Sequence, residues 1–97
     1  MKTLEEIHIR VSEGTREALI AQLQESLQNL EHSPNLMALH IYCHTKYETD
    51  LCLHLSWAVS LPLHGSTLAL NILAGVQELG SVKHTVWMKS SEHKTTN

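Results

Sequence analysis

Two stretches decide the fold, Leu36-Met37-Ala38-Leu39-His40-Ile41-Tyr42-Cys43-His44 and Leu51-Cys52-Leu53-His54-Leu55-Ser56-Trp57. Side chains of an extended chain point alternately to opposite faces. In the first stretch Met37, Leu39, Ile41 and Cys43 share one side, and Ala38, His40, Tyr42 and His44 the other. In the second, Leu51, Leu53, Leu55 and Trp57 alternate with Cys52, His54 and Ser56. Each is therefore a strand with one apolar face and one histidine-bearing face. The polar run Thr45-Lys46-Tyr47-Glu48-Thr49 joins them as a hairpin loop. A hairpin centred on Tyr47 pairs His40 with His54, Tyr42 with Cys52 and His44 with Asp50.

Residues 4–11 alternate in the same way, with Ile7, Ile9 and Val11 opposite Glu6, His8 and Arg10. Ser12-Glu13-Gly14-Thr15 breaks this strand, and Thr15 is placed to cap a helix with its hydroxyl. Over 16–31, Leu19, Ile20, Leu23, Leu27 and Leu30 recur at helical spacing, against a polar face of Arg16, Gln22, Gln24, Glu25 and Gln28. Ser33-Pro34-Asn35 ends that helix. Pro62 and Gly65 mark a loop, and Ser66 caps a second helix over 67–79. Its buried stripe is Leu68, Ala69, Ile72, Leu73, Val76 and Leu79, and Gly80 supplies a left-handed residue after it. A last strand, 82–88, sets Val82, His84, Val86 and Met88 against Lys83, Thr85 and Trp87.

The element order is β-α-β-β-α-β. Right-handed crossovers place both helices on one face of a four-stranded antiparallel sheet of order 4-1-3-2. The expectation is an α+β, ferredoxin-like domain over 1–89 with a polar tail over 90–97. The second sheet face is left open.

A chain of 97 residues forms one domain, and 42% hydrophobic residues exclude a disordered one. The net charge of -3, with no cluster of Lys and Arg, argues against nucleic acid as partner, because phosphate binding needs a positive field. No run reaches the roughly 18–20 apolar residues that cross a bilayer, so no membrane is expected. Met1-Lys2-Thr3-Leu4-Glu5-Glu6 lacks the apolar core of a secretory signal, and two cysteines make no disulfide framework. A cytoplasmic location is the expectation. Eight histidines would raise the charge on mild acidification, since a free imidazole titrates near pH ~6.5.

If the apolar parities face the helices, the open face carries His8 and Arg10, then His40, Tyr42 and His44, then Cys52 and His54. The third strand lies between the first and second, so His8, His54 and His40 can form a row across the sheet. Such a row suits a divalent transition metal or the polar groups of an organic ligand. The plainer reading is a face covered by a second subunit. Cys43 and Cys52 have opposite parities, which excludes a disulfide between them. Trp57 has the helix-facing parity and reads as core; Trp87 points to the open face. His84 reads as a core histidine satisfied by a neighbour, and His32 and His93 as surface residues. His64-Gly65-Ser66, ahead of the second helix, is a loop and cap whose backbone N–H groups could hold an anion.

The topology, with Leu53-His54-Leu55-Ser56-Trp57 closing the third strand, resembles the dimeric α/β-barrel superfamily. That superfamily includes antibiotic biosynthesis monooxygenases, haem-degrading monooxygenases and stress-responsive barrel proteins. The stretches Trp57…His64-Gly65-Ser66-Thr67-Leu68-Ala69-Leu70 and Glu78-Leu79-Gly80-Ser81-Val82-Lys83-His84-Thr85-Val86-Trp87 are similar to a small bacterial branch of it. The resemblance implies a homodimer whose open sheet faces pack into a barrel. Haem-degrading members use an Asn on the first strand, a Trp ending the third and a His on the second helix. Trp57 matches the Trp, but His8 or Arg10 stands where Asn is wanted and the second helix has no histidine. These departures count against haem degradation. Cofactor-free oxygenation of a polyphenolic substrate, the other activity implied, needs a dry pocket with a few orienting groups. The candidate ligand-binding residues are His8, Arg10, His40, Tyr42, Cys52, His54, Trp57 and Trp87, and the candidate metal ligands are His8, His40 and His54. A non-catalytic dimeric or regulatory module, its inner face a plain interface, stands beside these readings.

Overall fold

The computed structural model describes residues 2–28 and 33–93. Its elements are β1 (Thr3–Val11), α1 (Arg16–Gln28), β2 (Leu36–Cys43), β3 (Asp50–Trp57), α2 (Thr67–Val76) and β4 (Gly80–Met88). The strands form one sheet in the order β2-β3-β1-β4, with every pairing antiparallel. This is the expected 4-1-3-2 order. The hairpin register also agrees: His40 lies opposite His54 and Tyr42 opposite Cys52, and the His44 N–H donates to the Asp50 carbonyl at 3.1 Å.

The core lies between the sheet and the two helices. Ile7, Ile9 and Val11 of β1 and Leu51, Leu53, Leu55 and Trp57 of β3 meet Leu19 and Leu23 of α1 and Leu68, Ala69 and Val76 of α2. Burying one such large side chain stabilises the fold by about 1.5–3 kcal/mol relative to leaving it in water. Because β1 and β3 are the central strands, their apolar parity is almost completely buried. The parity of the edge strands β2 and β4 is only partly covered.

Several expectations are corrected. Leu36 pairs with Trp57 and Ala38 with Ser56, so Met37 is an extra residue in a β-bulge. The bulge sends Leu36 to the core in place of Met37, which is 53% exposed. From Ala38 onward the alternation runs as expected. Cys43 keeps its register opposite Leu51, but it is exposed at the end of an edge strand. Met88, at the free end of β4, is likewise exposed.

The second helix stops at Val76, where Gln77 is a right-handed cap whose N–H donates to the Leu73 carbonyl. Leu79 therefore falls beyond the helix and is exposed. Gly80 is no left-handed cap. It opens β4 opposite Val11, where a β-carbon would collide with the Arg10 carbonyl oxygen. Close approach of two strands, rather than a turn, is what requires glycine there.

Helix α1 begins at Arg16 as expected, but at its start the Thr15 carbonyl, not its hydroxyl, is the acceptor, taking the Leu19 N–H at 3.0 Å. Its expected extension through Leu30 to residue 31, and His32 beyond it, lie outside the described residues. Asn35 takes a left-handed conformation with φ 71°, which asparagine tolerates, and so turns the chain into β2. Ser90–His93 are exposed and outside any helix or strand, and His93 is on the surface as expected. No helix among the described residues is long and apolar enough to cross a membrane.

Candidate functional site

The uncovered face is a lattice of side chains set by the strand register. Across β2, β3, β1 and β4 its rows read Ala38–Ser56–Leu4–Trp87, then His40–His54–Glu6–Thr85, then Tyr42–Cys52–His8–Lys83. A fourth row reads Asp50–Arg10–Ser81. Polarity therefore rises along the strands. One end is apolar, with Met37 and Trp87 exposed beside Leu4; the other end is charged.

The register alters the expected row of three histidines. Opposite His54 on β1 stands Glu6, and His8 lies one row further on, opposite Cys52. His54 Nε2 is 3.2 Å from Glu6 Oε2. His8 Nε2 is 2.9 Å from Asp50 Oδ2. Arg10 donates to the same carboxylate from Nε at 3.0 Å and from Nη2 at 3.1 Å, and the Thr49 hydroxyl donates at 2.7 Å. Asp50 is thus 2% exposed beneath a lid of donors. Arg10, followed by Thr49, holds its carboxyl well below the usual range. His8 and Arg10 are consequently committed to Asp50, and His8, His40 and His54 do not converge as metal ligands.

His40, Tyr42 and His54 do come together. The Tyr42 ring centroid is 4.8 Å from that of His54 and 6.0 Å from that of His40, both tilted. Tilted ring pairs at roughly 4.5–7 Å between centroids are a favourable aromatic arrangement. Tyr42 remains half exposed, so the cluster presents a flat aromatic surface flanked by imidazole nitrogens. Beside it, Cys52 is partly buried, and burial, with Glu6 as a smaller cause, pushes its thiol above the ordinary range. Both cysteines are free.

Trp87 lies on the uncovered face as expected, its indole N–H donating to the Thr85 hydroxyl at 3.1 Å. With Leu4, Met37, Ser56 and Met88 it lines a cleft of ≈ 400 Å³ at the apolar end of the lattice. Trp57 also borders this cleft, but it is almost fully buried and its indole N–H is turned to Glu5.

That burial exposes a feature the sequence reading passed over. Glu5 has the parity of Ile7 and Ile9 and is completely buried. Its carboxyl group accepts from the Trp57 indole N–H at 2.9 Å, from the Ser66 N–H at 2.9 Å and from the Ser66 hydroxyl. His84 Nε2 lies 2.8 Å from Glu5 Oε2. With Glu5 ionised, only the Nε2–H form of His84 can bond to it, because a carboxylate only accepts hydrogen bonds. Ser66 Oγ in turn accepts from the Ala69 N–H, capping α2 as expected. His84 is thus the satisfied core histidine anticipated, with Glu5 as its neighbour. The backbone N–H of Ser66 at the helix start does meet an acceptor, and that acceptor is the protein's own Glu5 side chain. The signal for it was indirect: a histidine at core parity requires a buried partner.

No protein-family model matches the chain, and no curated protein matches it. Solved structures match its fold. A protein of Mycobacterium tuberculosis superposes with a TM-score of 0.73 over 97% of this chain and 100% of its own, at 20% identity. A Deinococcus radiodurans protein, described as a candidate antibiotic biosynthesis monooxygenase, gives 0.70 over 98% of this chain and 99% of its own, at 13% identity. A Bacteroides thetaiotaomicron protein, described as a candidate oxidoreductase, gives 0.64 over 89% and 95%, at 17% identity. The chain has the ferredoxin-like α+β fold of these proteins over almost its whole length.

Proposed function

We propose that two copies pair through their uncovered sheet faces into an α/β barrel, and that the His40–Tyr42–His54 cluster inside it binds and oxygenates a small aromatic molecule without a redox cofactor. The observation that carries this reading is the uncovered face itself. A half-exposed tyrosine ring packs against two imidazoles there, while the opposite sheet face carries the core and both helices. The monooxygenase-like description of a protein sharing the fold supports the reaction class.

The chemistry suits the residues. A hydroxylated aromatic of the anthrone type stacks on Tyr42 and loses a proton to an imidazole. The exposed His40 is the better placed base, because His54 is tied to Glu6. The resulting anion reduces dioxygen: the ring methylene becomes a carbonyl, one oxygen atom enters it, and the other leaves as water. The substrate supplies all four electrons, so no external reductant is required. Pairing of two faces supplies the exclusion of water that makes a fixed base effective.

Oxygen uptake with an anthrone-type phenol, measured beside light scattering, tests the proposal. The dimer should have twice the chain mass of 10.9 kDa. His40→Ala should lower turnover by about 10²–10⁴-fold, the usual contribution of a positioned base, and leave the dimer intact. Equal turnover in His40→Ala and wild type would remove the base from the mechanism. A dimer with neither uptake nor binding would leave the face as a plain interface.

A further inference from the structure

At the centre of the uncovered face three unlike donors stand together. Glu6 contributes a carboxylate oxygen, Cys52 a sulfur and His54 an imidazole nitrogen, and all three donor atoms lie within 4.8 Å of one another. We infer that Glu6, Cys52 and His54 form a binding site for one divalent transition ion of the zinc class. This set replaces the three histidines expected from the sequence alone.

The inference rests on geometry and donor chemistry. Ligand bonds to zinc of about 2.0–2.3 Å put the donors of a tetrahedral site roughly 3.3–3.6 Å apart. The His54–Glu6 edge already spans 3.2 Å. Cys52 has only to turn inward from its weak 4.0 Å contact with the Leu53 carbonyl. The three residues belong to two adjacent central strands, with Glu6 opposite His54 and Cys52 two residues before His54 on the same face. Rigid elements of this kind hold ligands better than loops do. All three side chains are partly buried, so ion binding displaces little ordered structure while water retains access. A thiolate with an imidazole selects zinc or cobalt(II) over magnesium and calcium, which prefer oxygen throughout. Three protein ligands leave one coordination position facing the open side of the sheet, where Tyr42 stands opposite Cys52.

The site shares His54 with the aromatic cluster but needs neither a second subunit nor an organic ligand. Its test therefore reads no turnover. Untagged protein, stripped with a chelator, is titrated with cobalt(II) and followed by absorption. One equivalent should bind with the intense band of a thiolate-to-cobalt charge transfer. Cys52→Ser should lose the band. Cys43→Ser, altering the exposed cysteine, should keep both band and stoichiometry. His54→Ala should weaken binding by about tenfold or more, since even residues that merely orient ligands cost that much. Circular dichroism of each variant confirms that the fold persists. Absence of the band in wild type, its survival in Cys52→Ser, or its loss in Cys43→Ser would each overturn the site. Failure here leaves the His40 experiment untouched, and failure there leaves this one untouched.

Discussion

Asp50 shows how a single residue can be built into the sheet by charge. It opens β3 on the uncovered parity, yet Arg10, Thr49 and His8 enclose it almost completely. Arg10 first, then Thr49, hold its carboxyl well below the ordinary range. A carboxyl depressed on folding stabilises the native state in full above its unfolded pKa, about 3.9. That contribution is lost as pH falls through the folded value. Asp50→Asn should therefore lower stability at pH 7, and the gap to wild type should close progressively below about pH 5. Urea unfolding midpoints at pH 7, 5 and 3 measure it; a gap that stays constant with pH would rule out the carboxylate as its source. Asp50 was visible in the sequence only as the pairing partner of His44. The sequence pattern assigns His8 and Arg10 to the right face, but not to each other's partner. That pairing follows from the β1–β3 register, which periodicity within one strand does not contain. The same limit explains why the His8–His54–His40 row became His40–His54–Glu6. Each strand's face was legible, and the offset between non-consecutive strands was not.

At the scale of elements, the Glu5 carboxyl group is a clamp. It joins β1 to the end of β3 through Trp57, to the start of α2 through Ser66 and to β4 through His84. Gly65 makes the clamp fit: φ is 89°, and a β-carbon there would strike both Glu5 and His84. Glu5→Ala leaves the Trp57 indole and the Ser66 amide without an acceptor in a buried space. Removing one side of such a buried network costs about 3–5 kcal/mol, so the variant should unfold at clearly lower urea concentration. A Glu5→Ala variant within about 1 kcal/mol of wild type would show that water replaces the carboxyl group there. Local patterning could not reveal this clamp. Glu5 has the parity of Ile7 and Ile9, but the donors that allow it to be buried lie 52–79 residues away. The elements themselves were legible because three signals agreed: alternation in the strands, helical spacing in α1 and α2, and the Ser66 cap. What failed was where an element ended or gained a residue, at Met37 and at Val76. An edge strand and a helix end have fewer neighbours to enforce the ideal period, and there local geometry prevails.

For the whole molecule, the unequal treatment of the two sheet faces is the main physical fact. A chain between about 60 and 150 residues buries only some 60–70% of the surface it exposes when unfolded. Here the helices are spent on one face. The other keeps Leu4 and, well exposed, Met37 and Trp87 around one cleft. The indole N–H of Trp87 is already satisfied by Thr85, so its ring can be covered without stranding a donor. These residues are where a second copy would gain most by pairing. Trp87 is 57% exposed and outside the core, so Trp87→Lys should leave the circular dichroism spectrum unchanged. In the barrel it would place a charge in an apolar seam. An aromatic anchor lost from such a seam costs at least about 2 kcal/mol, roughly a thirtyfold weaker dimer. Light scattering across a dilution series should therefore show Trp87→Lys dissociating at concentrations where wild type remains paired. Leu63→Lys is the control, because Leu63 is fully exposed in the loop before α2 and off the sheet. If both variants dissociate alike, charge rather than the sheet face governs association. If wild type is monomeric throughout, the barrel is wrong, and the aromatic cluster must bind its ligand on an open sheet.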